Sequence, residues 1–265
     1  MILEGNMNYW RQSKNNIYVA AHRGWSEKYP ENTMLAYRKA AELGVDQIEI
    51  DVRESKDGHL VIMHDATVDR TTNGSGRVDS MTLEELRSLD AGSWKGAEFV
   101  GEKIPTLEEF LEFAVSLPEM TFDIEIKEYL VSWSAEEHFC DRILSLIDEY
   151  GLTDRCVINS FSGRLHEYIY KKYGMKYKLH VYFPINCLGT DMTLFPYSYA
   201  YCCCVFSDNK GDFEYIDRCG IQPWAGASVK DEPTVDLAIE KGAELITCNN
   251  PDVVLELLRK KGYHD

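Results

Sequence analysis

Hydrophobic positions along the chain follow two rhythms. Short runs rich in β-branched residues alternate with longer stretches in which apolar residues recur every three or four positions. The runs 17–21, 47–52, 60–64, 121–127, 156–160, 177–182, 199–206, 221–224 and 245–248 read as strands, and 33–43, 135–150, 163–173, 232–241 and 252–261 read as helices. Thr82 with Glu85, and Thr106 with Glu109, have the spacing of capping boxes, in which two side chains satisfy the first unpaired amides of a helix. Strand–helix alternation over the whole length predicts parallel βα units. Nine strand candidates are one more than a (β/α)8 barrel takes, so one of them is expected to be wrong. The one long connection, 65–105, predicts a small insertion or cap, because structureless loops of that size are uncommon in compact domains.

Two of the strands carry charge where apolar residues belong. In 47–52, Glu49 and Asp51 share one face and Ile48, Ile50 and Val52 the other; in 121–127, Asp123, Glu125 and Lys127 oppose Phe122, Ile124 and Ile126. Parallel strands covered on both faces normally read as unbroken apolar runs, which makes these charged faces anomalous. Bringing Glu49, Asp51 and Glu125 together is costly unless a cation neutralises them. Oxygen donors without cysteine or several histidines suit Mg²⁺ or Ca²⁺, with Mn²⁺ a further candidate, better than zinc. From spacing alone, ion pairs with Lys127 and Arg53 are an equally open reading.

His22 and Arg23 follow the first strand, and His64 and Asp65 follow the third, where catalytic groups of such barrels sit. Two histidines can divide proton transfer, while Arg23 and Lys127 can hold the oxygens of a phosphate. Phe161 and Trp224, at strand ends, fit either a pocket wall or core packing. Residues 30–33 precede a helix, so Asn32 or Thr33 is assigned to capping and left out of the site. Cys202, Cys203 and Cys204 read as buried thiols, because neighbours on a strand point to opposite faces.

Composition adds limits. The 265 residues, 45% hydrophobic and 27% charged, suit one globular domain over 1–265. A net charge of −16 with no Lys/Arg cluster argues against nucleic acid and anionic membrane as partners. That charge also repels an anionic substrate, so a bound cation and a few basic side chains must decide matters within the screening length of roughly 8 Å. No run of eighteen apolar residues occurs, 1–16 is mixed polar, and no two of the eight cysteines form a C-x-x-C pair. The expectation is a cytoplasmic protein without a membrane anchor.

Five blocks, His22-Arg23-Gly24, Pro30-Glu31-Asn32-Thr33, Glu49-Ile50-Asp51-Val52, His64-Asp65 and Ile124-Glu125-Ile126-Lys127, resemble in order and spacing the glycerophosphodiester phosphodiesterase family. Each block is weak alone, but five together are highly specific. Agreement is dense over 19–127, including Arg70-Thr71-Thr72, and thins afterwards. The resemblance implies a (β/α)8 TIM barrel with a small insertion after the third strand and one divalent cation on Glu49, Asp51 and Glu125. It also implies His22 and His64 as the acid/base pair, Arg23 and Lys127 on the phosphate, and hydrolysis of a small glycerophosphodiester to sn-glycerol 3-phosphate and an alcohol.

Two departures qualify it: Trp224-Ala225-Gly226-Ala227 stands where similar enzymes read Trp-Thr-Val-Asn, and 183–215, expected to meet the alcohol, matches nothing in the family. Competing readings are a phospholipase D-like barrel on lysolipid diesters, disfavoured by the missing anchor, and a silent phosphodiester-binding barrel. A glycosidase is disfavoured because adjacent carboxylates on one strand face cannot flank a sugar.

Overall fold

The computed structural model describes residues 17–127, 133–184 and 198–265. In chain order the strands and helices are β1 (Tyr18–Ala21), α1 (Met34–Leu43), β2 (Gln47–Glu54), β3 (Leu60–Ile62), α2 (Leu83–Ser88), α3 (Leu107–Val115), β4 (Thr121–Ile126) and α4 (Trp133–Glu149). They continue as β5 (Cys156–Asn159), α5 (Gly163–Tyr173), β6 (Lys178–Phe183), β7 (Cys202–Val205), α6 (Lys210–Arg218), β8 (Gln222–Ala225), α7 (Glu232–Lys241), β9 (Leu245–Cys248) and α8 (Pro251–Lys261).

Eight of these strands run parallel, and β1 pairs with both β2 and β9, which closes a (β/α)8 barrel. The surplus strand is β3: it turns back antiparallel on β2, with Val52 opposite Ile62 and Glu54 opposite Leu60. The hairpin needs the left-handed backbone of Gly58, at φ +82°, whose amide bonds the Ser55 carbonyl at 3.0 Å.

Local chemistry sets the helix ends. Thr33 caps α1 by accepting from the Ala36 amide, and the capping boxes read at Thr82–Glu85 and Thr106–Glu109 are both formed. Helix α6 was not anticipated: Asn209 caps it and only Phe213 and Ile216 are buried, too sparse a stripe to read as a period.

Strand alternation divides the core in two. Ile48, Ile50, Val52, Phe122, Ile124 and Ile126 face the helices, where Phe110 sets its ring edge-on to Tyr37 at 5.0 Å and to Phe122 at 5.5 Å. Such aromatic pairs contribute about 0.5–1.5 kcal/mol beyond the area they bury. Ala20, Val157, Cys202, Trp224 and Leu245 form a separate cluster inside the barrel. Cys202 belongs to that interior cluster and Cys203 to the outer one, as strand alternation requires; both are free buried thiols, as is Cys204. Cys187 and 185–197 lie outside the described residues, as does 1–16.

The insertion over 65–105 packs Val68, Val78, Leu86, Ala91 and Ile104 onto Val61 and Met63 of the β3 segment, in a small cluster apart from the main core. It meets the β1–α1 loop beside the barrel mouth, where Lys95 Nζ donates to the Ser26 carbonyl at 2.8 Å and Phe99 sets its ring edge-on to Tyr29 at 5.8 Å. Among the described residues, no helix is long and apolar enough to cross a membrane.

Candidate active site

The β2–β4 register places Asp51 opposite Glu125 and Glu49 opposite Asp123, so the charged faces of the two strands meet inside the barrel. Carboxylate oxygens of Glu49, Asp51 and Glu125 lie within 4.8 Å of one another, and all three residues are buried. Burial, then the neighbouring carboxylates, pushes Glu49 well above the usual range; burial likewise lifts Glu125 to about 8. Burial acts on Asp51 in the same sense, but Lys127 and Arg23 overcome it and hold that carboxyl far below its usual value. Lys127 Nζ sits 2.9 Å from Asp51 Oδ1 and also pairs with Glu125 Oε1.

Glu49 shows what the cluster lacks. Its Oε2 accepts the Arg23 amide at 2.7 Å, whereas its buried Oε1 has no hydrogen-bond partner. An orphaned buried acceptor costs on the order of 1–3 kcal/mol, more when charged, and a hard cation among the three carboxylates would satisfy it. The donor set therefore fits a divalent ion of the Mg²⁺ or Ca²⁺ type. Ion pairs with Lys127, the competing reading from spacing, are also present; Arg53 instead donates to the His64 carbonyl at 2.9 Å.

The chain reverses after β1 through two consecutive left-handed residues, Arg23 at φ +59° and Gly24 at φ +76°. A Cβ at Gly24 would lie 2.8 Å from the backbone of Ala36, so α1 packs directly against that turn. The turn aims the Arg23 amide at Glu49 and sets His22 at the mouth. His22 Nδ1 is 2.7 Å from Asn249 Oδ1; with that oxygen accepting, the ring keeps a lone pair on Nε2. Burial, then Arg23, lowers His22 to about 4. His64, just past β3, has Nδ1 2.6 Å from Asp65 Oδ1 and is lowered by burial against the pull of Asp51. Asp51, Lys127 and Arg23 act electrostatically on both imidazoles.

Several participants escaped the sequence reading. Asn32 does not cap α1, a role taken by Thr33; at φ +56° it turns inward, donating Nδ2 to Asp51 Oδ2 at 2.7 Å and accepting from the Tyr37 hydroxyl at 2.8 Å. Its position inside the Pro30–Thr33 block was the available signal. Asp123, read on the charged face of 121–127, pairs with the buried His180 at 2.8 Å, a partner that no spacing announced, and Asn249 was not singled out although it lies in a stretch, 247–251, where the family resemblance continues. Phe161, at the rim, stacks on Tyr182 with ring centres 4.0 Å apart. Trp224 is 1% exposed inside the barrel, with its ring centre 4.8 Å from that of His180.

Comparison with known proteins follows from this geometry. The model of the glycerophosphoryl diester phosphodiesterase family matches residues 22–187. A glycerophosphodiester phosphodiesterase of Caldanaerobacter subterraneus subsp. tengcongensis is 36% identical over 251 residues, covering 92% of this chain and 98% of that protein. Among solved structures, a glycerophosphodiester phosphodiesterase of Agrobacterium tumefaciens is 26% identical with a TM-score of 0.74, over 90% of this chain and 98% of the other. A phosphodiesterase of Oleispira antarctica, solved in complex with the product sn-glycerol-3-phosphate, is 25% identical with a TM-score of 0.76, over 91% and 96%.

Proposed function

The chain belongs to the glycerophosphoryl diester phosphodiesterase family, a family of phosphodiester hydrolases, and from that premise we propose a specific division of labour at the barrel mouth. The protein hydrolyses glycerophosphodiesters to sn-glycerol 3-phosphate and an alcohol, with a divalent cation on Glu49, Asp51 and Glu125. The observation that carries this reading is three buried carboxylates, one with an orphaned oxygen, beside two imidazoles each pinned through Nδ1.

When bound, the cation would offset charge on the phosphoryl oxygens and lower the pKa of the attacking hydroxyl or water. His22, kept neutral by burial down to about pH 4, is the group able to accept a proton at Nε2. His64 is the better acid: its ring is more open, and the Asp65 carboxylate at 2.6 Å stabilises an imidazolium that delivers its proton to the leaving alcohol. Arg23 and Lys127 hold the non-bridging oxygens. Phe161, backed by Tyr182, walls the glycerol carbons, and Trp224 supports that wall from below, through His180, whose ring centre lies 5.3 Å from that of Tyr182. The free thiols among the described residues suit a reducing compartment, hence the cytoplasm.

The test is release of sn-glycerol 3-phosphate from glycerophosphocholine and glycerophosphoethanolamine after chelation, with Mg²⁺, Ca²⁺ and Mn²⁺ restored in parallel and a lysophospholipid as a further arm. Metal-restored turnover of the water-soluble diesters is expected. Protein inert on every diester, or fully active in excess chelator, would overturn respectively the reaction or the cation.

A further inference from the structure

Arg70, in the insertion, joins two sides of the mouth. Its Nε and Nη2 donate to Asp65 Oδ2 and Oδ1 at 2.7 and 3.1 Å, and its Nη1 and Nη2 donate to Glu31 Oε2 and Oε1, each at 2.8 Å. Both carboxylates lead inward. Asp65 Oδ1 bonds His64 Nδ1 at 2.6 Å, whereas Glu31 Oε1 accepts from Arg23 Nη1 at 2.8 Å, and Arg23 Nε lies 3.4 Å from Asp51 Oδ2. One guanidinium thus links the imidazole from the far side of β3 to the basic residue that follows β1.

We infer that Arg70 is a positioning residue for the proposed hydrolysis, touching no substrate itself. By fixing Asp65 it holds one proton on His64 Nδ1 and keeps Nε2, where the imidazolium carries the second proton that it delivers, turned to the site; by fixing Glu31 it keeps the Arg23 guanidinium against the carboxylate cluster. The planar fork suits this role because it serves two carboxylates at once, each through two donors, which the point charge of lysine does not. The backbone around Arg70 is anchored for it: Thr71 Oγ1 contacts Met63 Sδ at 3.4 Å and Thr72 Oγ1 donates to the Val68 carbonyl at 2.7 Å, both in the small cluster between the insertion and the β3 segment. Hydrogen bonding from Arg70 is also the leading reason that Asp65 is lowered to about 2, so Asp65 is ionised throughout the working range. Arg70 is itself 45% exposed, and such ion pairs contribute little to folding, so its loss belongs in catalysis rather than in the melting curve.

The inference rests on the hydrolytic reading, so turnover of the wild type is measured first. In Arg70→Ala, kcat should fall about 10- to 100-fold, the usual range for partners that orient an active group, with KM within about threefold and the melting temperature unchanged. Millimolar guanidinium, but not sodium chloride, should restore part of that loss, and Arg70→Lys should recover only part of it. Nitrogen-15 NMR of the imidazoles, with His64 identified through His64→Gln, should show the Nδ1–H tautomer in the wild type and a mixture in Arg70→Ala. Wild-type kcat in Arg70→Ala, an unchanged His64 tautomer, or a loss that follows early melting and resists guanidinium would each overturn the assignment. Should the wild type be inert, the reading of the reaction fails by itself and the tautomer measurement still decides the role of Arg70.

Discussion

Metal binding to this site should expel protons, in a number that the burial of its carboxylates sets. With its pKa at about 8, Glu125 is about 0.9 protonated at pH 7 before the cation arrives, and burial with the neighbouring carboxylates shifts Glu49 in the same direction. Asp51, ionised by Lys127 and Arg23, contributes nothing. A hard cation demands ionised ligands, so its entry at pH 7 releases between about one and two protons, and apparent affinity rises up to roughly tenfold per pH unit for each proton lost. Isothermal titration calorimetry of the chelator-stripped protein, run in buffers of different ionisation enthalpy, reads that number as a slope. It should be about one or more at pH 7 and fall by about one by pH 9, as Glu125 loses its proton beforehand. Measurable binding with a slope near zero at both pH values would mean that Lys127 and Arg23 already keep all three carboxylates ionised, and the account of the cluster would be wrong.

Two further outcomes follow from the same structure. Glu125 is raised above its unfolded value, so its contribution to stability is present at low pH and is lost as pH rises toward about 8; metal-free protein should melt at a lower temperature at pH 8 than at pH 6.5, and saturating cation should narrow the difference to the share of groups outside the cluster, such as Glu244, which burial lifts to about 7. Gly24→Ala combines a left-handed backbone with a Cβ 2.8 Å from Ala36, and should cost at least about 2 kcal/mol in urea unfolding while moving the Arg23 amide off Glu49.

The parts of this molecule legible from the chain are those whose chemistry repeats at a fixed spacing. Period-two alternation exposed Glu49, Asp51 and Glu125 on the inner face, and the capping boxes marked α2 and α3 before any coordinates. The strand count left one to remove without saying which; β3 carries the same apolar run as a barrel strand, and only its antiparallel pairing with β2 sets it apart. Capping was left open between Asn32 and Thr33, and Thr33 takes it; the inward role of Asn32 was hidden because its hydrogen bond to Asp51, nineteen residues away, is tertiary. Asn249 acts on His22 across 227 positions, a pairing that no local pattern encodes. The bridge through Arg70 was hidden for the same reason, since it joins Glu31 and Asp65 only after the insertion folds back over the mouth.

The division of each barrel strand into an inner and an outer face has a further consequence for how such a chain can change. On β2 and β4 the even-numbered residues, from Ile48 to Val52 and from Phe122 to Ile126, meet the helices, and the odd-numbered Glu49, Asp51 and Glu125 meet one another inside the barrel. Two texts are written in alternating letters of the same line, one about solubility of the fold and one about reactivity. Descendants can revise the first by swapping aliphatic side chains of similar volume, without editing the second. Slipping the line by a single letter would exchange the two and erase both.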